Sequence, residues 1–247
     1  MRDAILQQEK TPKVICAYET LKQDILHIKI APATPLKINW LRDTYNFGST
    51  PLREALSRLV GEHLVILHPN KGYFAAPVSF EEMINLYNNR TLFKQNLLKE
   101  AMSFGDTNWE AEIVATHYRL GQSVSPSEGN CSYEEYIAWT KAHDAFDNAL
   151  IAAHRSPWMI RFHLLLTEHI RRQGRALRLL MPNSERQEFL TGTLQSPTLR
   201  ELYALERYTD LKNAVISRNF DQTEILVKKH IDLVIATYRE LHIKNNN

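Results

Sequence analysis

Apolar residues in the first part of the chain follow helical spacing. In residues 14–29 they recur every three or four positions, which predicts an amphipathic helix. Two prolines within residues 31–35 end this helix, because proline lacks the amide hydrogen that a helix interior needs. A second short helix is predicted from Ile38 to Tyr45, with Leu41 and Trp40 as candidate core residues.

A turn at residues 46–48 (Asn-Phe-Gly) separates this helix from a third one. We predict the third helix over residues 51–62, with Ser49 or Thr50 as its N-cap and Pro51 at its first position. Four residues form its predicted apolar face: Leu52, Ala55, Leu56 and Leu59.

Beyond the third helix the pattern changes to short β-type runs. Residues 64–67 and 73–75 flank the turn-forming segment 68–72, which predicts a β-hairpin in which Gly72 can take a positive φ. Three helices and a hairpin form the winged helix-turn-helix plan, whose third helix enters the major groove of DNA.

The rest of the chain is helical in pattern after a short linker at residues 77–79. Helices are predicted over about 80–103, 107–121, 132–154, 157–180, 197–217 and 221–243, with breaks at 105–106, 121–130, 156–157 and 182–197. The predicted fold class is therefore mostly α, with a winged helix-turn-helix DNA-binding domain over residues 1–78 and an all-helical domain over residues 79–247.

Composition excludes several classes of protein. The chain has 247 residues, few glycines for a β-rich fold, and no apolar run near the roughly 18 residues of a membrane helix. Cys16 and Cys131 form neither a disulfide framework nor a zinc motif. The first thirteen residues lack the apolar core of a secretory signal. We therefore expect a cytoplasmic protein without a membrane partner.

The net charge of +2 is unevenly distributed. Residues 1–78 hold ten Lys+Arg against seven Asp+Glu, whereas the remainder holds 20 against 21. A basic domain joined to a nearly neutral one is typical of DNA binding attached to sensing or oligomerisation.

The third predicted helix contains a specific motif. Residues 50–56 read Thr-Pro-Leu-Arg-Glu-Ala-Leu, followed by Arg58-Leu59, by residues 62–65 (Glu-His-Leu-Val) and by Lys71-Gly72-Tyr73. On these residues, segment 17–78 resembles the GntR family of bacterial transcriptional regulators. The helical remainder resembles the FadR-type (FCD) effector domain, on the basis of Arg90, the Phe146-Asp147 step and residues 214–230.

This resemblance implies a homodimeric regulator, more often a repressor than an activator, that binds a double-stranded DNA operator and a small carboxylate effector. The predicted DNA-contacting residues are Ser49, Thr50, Arg53, Arg58, Asn70, Lys71 and Gly72. Arg53 can pair with guanine or a phosphate, although it could also be a surface arginine paired with Glu54 or Glu62. Ser49 stands where many members have an arginine before the threonine, so the operator sequence cannot be transferred from relatives.

The resemblance also implies a metal site, since FCD pockets often hold a divalent ion such as Zn, Mn or Ni. His143, Asp147 and His230 match ligand positions, while Tyr208 stands where a third histidine would be. Neutral tyrosine is a poor ligand, so three ligands would leave one position for an effector carboxylate. The alternative is a polar pocket without metal, in which His143 and Asp147 are hydrogen-bonded.

Arginines on the bundle helices are candidates for effector recognition, because a buried arginine needs an anionic partner. The predicted effector-binding residues are Arg90, Arg171 and Tyr208. For the arginines, internal salt bridges are the alternative. A metal-sensing regulator and a metal-dependent hydrolase are the competing functions. We expect no enzyme, because the sequence has no nucleophile motif, phosphate loop or cofactor fingerprint.

Overall fold

The computed structural model describes residues 12–127, 131–179 and 196–245, so most of the predicted break at 182–197 lies outside the described residues. The chain divides into two compact units. The winged unit comprises the described residues up to Met83 together with Glu168–Leu177, and the helical unit comprises Ile84–Thr167 and the described residues from Arg178 onward. The predicted domain boundary at residue 78 stays a prediction.

The winged unit has the predicted element order. Its elements are α1 (Lys13–Leu26), α2 (Ile38–Tyr45), α3 (Ser49–Gly61), β1 (Val65–His68) and β2 (Gly72–Ala75). The buried face of α3 contains the four predicted residues, which pack with Leu21, Ile25 and Leu41 from α1 and α2. The prediction of a winged helix-turn-helix is thereby confirmed. Trp40, however, is 41% exposed, because α2 directs Leu41 into the core and turns the preceding side chain outward.

The beginning of α3 differs from the prediction. Its N-cap is Gly48, in an extended conformation, and no side chain caps the helix. The first helical residue is Ser49, so the predicted capping by Ser49 or Thr50 is wrong. Pro51 still lies in the first turn, where amide hydrogens have no partner within the helix.

The wing is a hairpin in which Val65 pairs with Ala75 and His68 with Gly72. Asn70 and Gly72 both have positive φ, 62° and 86°, as this tight connection requires. A third extended segment borders the hairpin, since Pro35 forms a bridge to Phe74. Sequence periodicity does not predict this segment, because it is short and its prolines indicate only the end of a helix.

The helical unit is an all-helical body, as predicted. Among the described residues, the helices with residues in it are α4 (Phe80–Phe104), α5 (Thr107–Gly121), α6 (Tyr133–Ile151), α7 (Pro157–Leu179), α8 (Pro197–Tyr203), α9 (Leu205–Ile216) and α10 (Phe220–Asn245). Residues of α4 and α7 belong to both units. Within the described parts of the chain, none of these helices combines the length and apolarity needed to cross a bilayer.

The predicted helix over residues 197–217 is interrupted. Ala204 has an extended conformation (ψ 126°) between α8 and α9. Side chains of α9 bind carbonyls at the end of α8, one of which, that of Glu201, also accepts from the amide of Ala204 at 3.3 Å. Arg207 donates to the carbonyls of Glu201 and Leu202, and the Tyr208 hydroxyl donates to that of Leu202 at 3.0 Å.

Candidate DNA-binding surface and effector pocket

The exposed face of α3 has the composition expected for contact with DNA. Thr50, Arg53 and Arg58 are exposed, opposite the buried leucine face, and Ser49 is partly exposed in the first turn. With about 100° per residue around a helix, the two arginines lie at opposite edges of this exposed face. Both therefore border the surface that a DNA groove would meet.

The arginines of α3 are available for an external anion. Among the described residues neither Arg53 nor Arg58 forms an ion pair, and Arg53 is not paired with Glu54 or Glu62. The Glu62 carboxylate is engaged elsewhere, by the Tyr18 hydroxyl and by Lys22 at 3.0 Å. The Lys22 ammonium also contacts Glu168 at 3.1 Å. The described ion pairs thus leave the positive charges of α3 uncompensated.

The wing presents its predicted residues at its tip. Asn70 and Lys71 are exposed, and Gly72 begins β2. The amide of Lys71 donates to the carbonyl of His68 at 3.2 Å, which closes the turn and leaves the lysine side chain in solvent. A lysine on a rigid turn can contact a phosphate.

A pocket of about 60 Å³ lies within the helical unit. On this scale a single water needs roughly 10–15 Å³, so the cavity has room for a small molecule. Residues of α4, α6, α9 and α10 line it: Lys94, His143, Asp147, Arg207, Tyr208, Asp210, Leu211, Leu226, Val227, Lys229, His230 and Ile231. The structure thus brings together four residues that the sequence selected, which are His143, Asp147, Tyr208 and His230.

Lys94 and Asp147 form a buried ion pair in this pocket. The Lys94 ammonium donates to Oδ1 of Asp147, and Lys94 is 5% exposed. Burial alone would raise the pKa of Asp147, but the charges of Lys94 and Arg90 outweigh it, and the pKa lies well below its usual value. Sequence reasoning missed Lys94, although it lies four residues after Arg90 and so on the same face of α4.

Aromatic and imidazole rings form another wall of the pocket. The rings of His143 and His230 are nearly parallel with centroids 6.4 Å apart, and the Tyr208 ring lies edge-on to His143 at 5.4 Å. Burial, followed by the charges of Lys94 and Arg207, holds the pKa of His230 well below its ordinary value, so this imidazole is neutral at pH 7. Burial also raises the pKa of Tyr208, which keeps its hydroxyl protonated.

Arg207 is a second cation that the sequence did not select. One of its terminal nitrogens lies 3.3 Å from Nδ1 of His230. The position of Arg207 depends on the interruption at Ala204, because its guanidinium caps the end of α8. The predicted continuous helix over residues 197–217 does not indicate that the Arg207 side chain enters the pocket.

The donor set does not fit a divalent metal as it is arranged. The Lys94 ammonium already occupies Oδ1 of Asp147, and Nδ1 of His143 lies 3.8 Å from the carboxylate of Asp144. Within residues 12–127, 131–179 and 196–240, no three His, Cys, Asp or Glu side chains are grouped to hold a metal ion. The predicted ligands thus share a pocket without converging on one point.

The two predicted effector arginines lie in different environments. Arg90 is partly buried, and its charge acts on Lys94, Asp147 and His163 although it does not line the cavity. Its Nε is buried without a hydrogen-bond partner among the described residues. Arg171 belongs to the winged unit, is exposed, and is not among the residues that line this cavity, so its role in effector binding stays a prediction.

Two features together define the class of the protein. A winged helix-turn-helix with an exposed basic α3 is a DNA-reading module, and it is joined to a helical unit with a small polar pocket. These are the parts of a DNA-binding transcriptional regulator. Residues 16–74 match the family model described as bacterial regulatory proteins, gntR family. This segment, which spans α1 to β2, is accordingly similar to the DNA-binding domain of GntR-type transcriptional regulators.

Individual proteins similar to this chain are also transcriptional regulators. The chain is 26% identical over 223 residues to the HTH-type transcriptional regulator BphR of Paraburkholderia xenovorans, covering 90% of this chain and 84% of that protein. It is 32% identical over 143 residues to the HTH-type transcriptional repressor GlaR of Escherichia coli, covering 58% of this chain and 64% of the relative.

Solved structures show the same fold. E. coli McbR/YncC superimposes with a TM-score of 0.61 at 17% identity, covering 94% of this chain and 99% of the other. A GntR transcriptional regulator from Rhodococcus sp. RHA1 gives a TM-score of 0.60 at 16% identity, with coverage of 93% and 99%. At these identities the likeness concerns the fold alone.

Proposed function

We propose that this regulator is a cytoplasmic homodimer whose affinity for its operator is controlled by a small carboxylate bound in the pocket of the helical unit. Each winged unit reads one half of a near-palindromic operator, through α3 in the major groove and through the wing at the backbone or minor groove. By analogy with the family, binding represses transcription. We also propose that the helical domain is an effector domain of the FadR type.

The charge of the pocket is the observation that supports an anionic effector. Two cations, Lys94 and Arg207, line the cavity, and the charge of Arg90 acts on its buried carboxylate, Asp147. At the rim, the exposed Asp210 and Lys229 have opposite charges. An anion would therefore meet an excess of positive charge, in surroundings where burial strengthens charge-assisted hydrogen bonds.

Sequence similarity narrows the first ligands to try. Segment 36–73 resembles the carbon-starvation-responsive repressor of 4-aminobutyrate and glutarate catabolism. Both compounds are short carboxylates, and the cavity is small enough to favour molecules of this size. They are the first candidates for the effector.

An exposed apolar patch on the helical unit supports the homodimer. Leu92, Trp158 and Phe162 are 60%, 65% and 45% exposed. The ring of Phe162 stacks against Trp158 at 6.2 Å and against Phe93 at 5.6 Å, so these three aromatic residues are neighbours, and Leu92 directly precedes Phe93 in the chain. Contiguous exposed aromatic residues are typical of protein interfaces. Light scattering should give twice the chain mass, and Trp158→Asp should reduce it.

The proposal is tested by measuring binding of the full chain to DNA from its own upstream region, against a scrambled DNA of equal length. We expect preference for the upstream DNA, and a change in affinity when glutarate, 4-aminobutyrate or related short carboxylates are added. A protein that binds both DNAs equally would contradict sequence-specific regulation. An effect of chelation alone on operator affinity would instead identify a metal sensor.

A further inference from the structure

Lys94 has hydrogen-bonding capacity that the protein itself does not use. An ammonium group has three donors, and one of them points to Asp147. Among the described residues Lys94 has no other hydrogen-bond partner, although its side chain is only 6% exposed and lines the cavity. Buried donors are almost always satisfied in folded proteins. A buried lysine that lines a polar cavity and has two donors without a partner among the described residues therefore indicates a ligand rich in acceptors.

The Lys94 ammonium also lies at the carboxylate that a metal cation would bind. Asp147 is the predicted metal ligand, and its oxygen is bound by Lys94 instead. A divalent ion at the same carboxylate would lie a few ångströms from this ammonium, and like charges at such a distance repel strongly in a buried site. A ligand carboxylate, in contrast, can accept from Lys94 and from Arg207 with favourable charge on both sides.

From these contacts we infer that Lys94 takes the place of the metal ion, so that the pocket binds its carboxylate through an ammonium group without a divalent cation. The inference rests on the proposed function, because it concerns the ligand of the same pocket. The inference also explains why Tyr208 stands at the position of the third histidine, since a site without metal needs no fourth ligand. His143, Tyr208 and His230 then shape the cavity instead of coordinating an ion.

Metal titration of the full chain tests the first half of the inference. Wild-type protein should retain no Zn²⁺, Mn²⁺ or Ni²⁺ after dialysis. In Lys94→Gln the repulsive charge is gone, and the affinity for Zn²⁺ should rise at least about tenfold. Lys99→Gln is the matched control, because Lys99 lies on the same helix, exposed and 3.6 Å from Glu224, and it should behave like the wild type.

Carboxylate binding tests the second half. Glutarate and 4-aminobutyrate should raise the melting temperature of wild-type protein equally with and without a chelator. Lys94→Gln should weaken this binding at least about tenfold, as expected for the loss of a buried charge-assisted hydrogen bond, whereas Lys94→Arg should retain more of it. Far-ultraviolet circular dichroism of each variant checks folding.

The two arms separate the inference from the proposed function. Stoichiometric metal in wild-type protein, or loss of carboxylate binding on chelation, would overturn the role of Lys94, and neither measurement needs a variant. If no carboxylate binds under any condition, the proposed effector class is wrong, while the metal titration still decides whether Lys94 excludes a cation.

Discussion

Replacing Arg53 with alanine is the most direct test of the DNA-binding surface. Arg53 is exposed in the first turn of α3 and forms no ion pair with any described residue. Alanine is also the best helix former. The free energy of unfolding should therefore change by less than about 0.5 kcal/mol, so that any loss of operator binding reports on the contact itself.

The expected loss follows from the geometry of the guanidinium. A bidentate pair between arginine and guanine, or an equivalent phosphate clamp, contributes about 1–3 kcal/mol. At 1.4 kcal/mol per factor of ten, each copy of Arg53 that contacts DNA contributes roughly 5- to 150-fold in affinity. If both protomers of the proposed dimer use it, the two contributions multiply.

Fluorescence anisotropy with labelled upstream DNA, repeated at several salt concentrations, measures both the affinity for the operator and its dependence on salt. A lost phosphate contact should lower the slope of log affinity against log salt by about 1, whereas a lost base contact should leave it unchanged. Arg119→Ala is the control, since Arg119 lies in the helical unit, exposed and 3.3 Å from Glu112, and carries the same charge. An Arg53→Ala affinity within about twofold of wild type, or an equal loss in Arg119→Ala, would refute the docking of α3.

Other residues give further predictions. Lys71→Ala at the wing tip should weaken binding about equally for specific and non-specific DNA and reduce the salt slope by about 1, as measured by the same titration. Burial lowers the pKa of His163 to about 4. Because the unfolded chain therefore binds more protons than the folded one, the free energy of unfolding should fall by about 3 kcal/mol as the pH drops from 6.5 to 4. In urea unfolding, His163→Leu should lack this pH-dependent loss. Asp106 accepts from the amide of Trp109 at 2.9 Å, so Asp106→Ala should lower the melting temperature of the helical unit in thermal unfolding. In Gly105→Ala the new Cβ would lie 2.0 Å from the Trp109 ring, and the melting temperature should fall by an amount equivalent to at least about 1–3 kcal/mol.

The winged unit could be predicted from sequence because its signals are local. Leucine spacing, the turn at residues 46–48 and the glycine at position 72 each specify the conformation of a few neighbouring residues, and all of them agree. The predicted N-cap of α3 is wrong because it rests on an average preference. Serine and threonine are favoured at N-caps on average, but here Gly48 takes that position, and both hydroxyl residues enter the helix.

The pocket could be predicted only in part, because it depends on which helix faces are covered. Arg171 and Arg172 are adjacent and differ by about 100° around α7. Helical periodicity alone does not distinguish which of the two is buried, and the structure buries Arg172, which is 1% exposed and donates to the carbonyls of Ala76 and Pro77. Likewise, Arg207 reaches the cavity only because α8 ends at Tyr203, a tertiary feature without a local signal.

Control of DNA binding by a ligand requires an element whose arrangement both the ligand and the winged unit can bias. Helix α4 meets this requirement, because Phe80–Met83 belong to the winged unit and Lys94 lines the pocket of the helical unit. Within the winged unit, the start of α4 is held by Gln173, which accepts from the amide of Ser79 at 3.1 Å and donates to Glu82 at 2.7 Å. Glu82 and Lys94 are twelve residues apart, about 18 Å along one continuous helix. In the proposed regulation, a carboxylate bound at Lys94 would therefore act on a helix that has residues in both units.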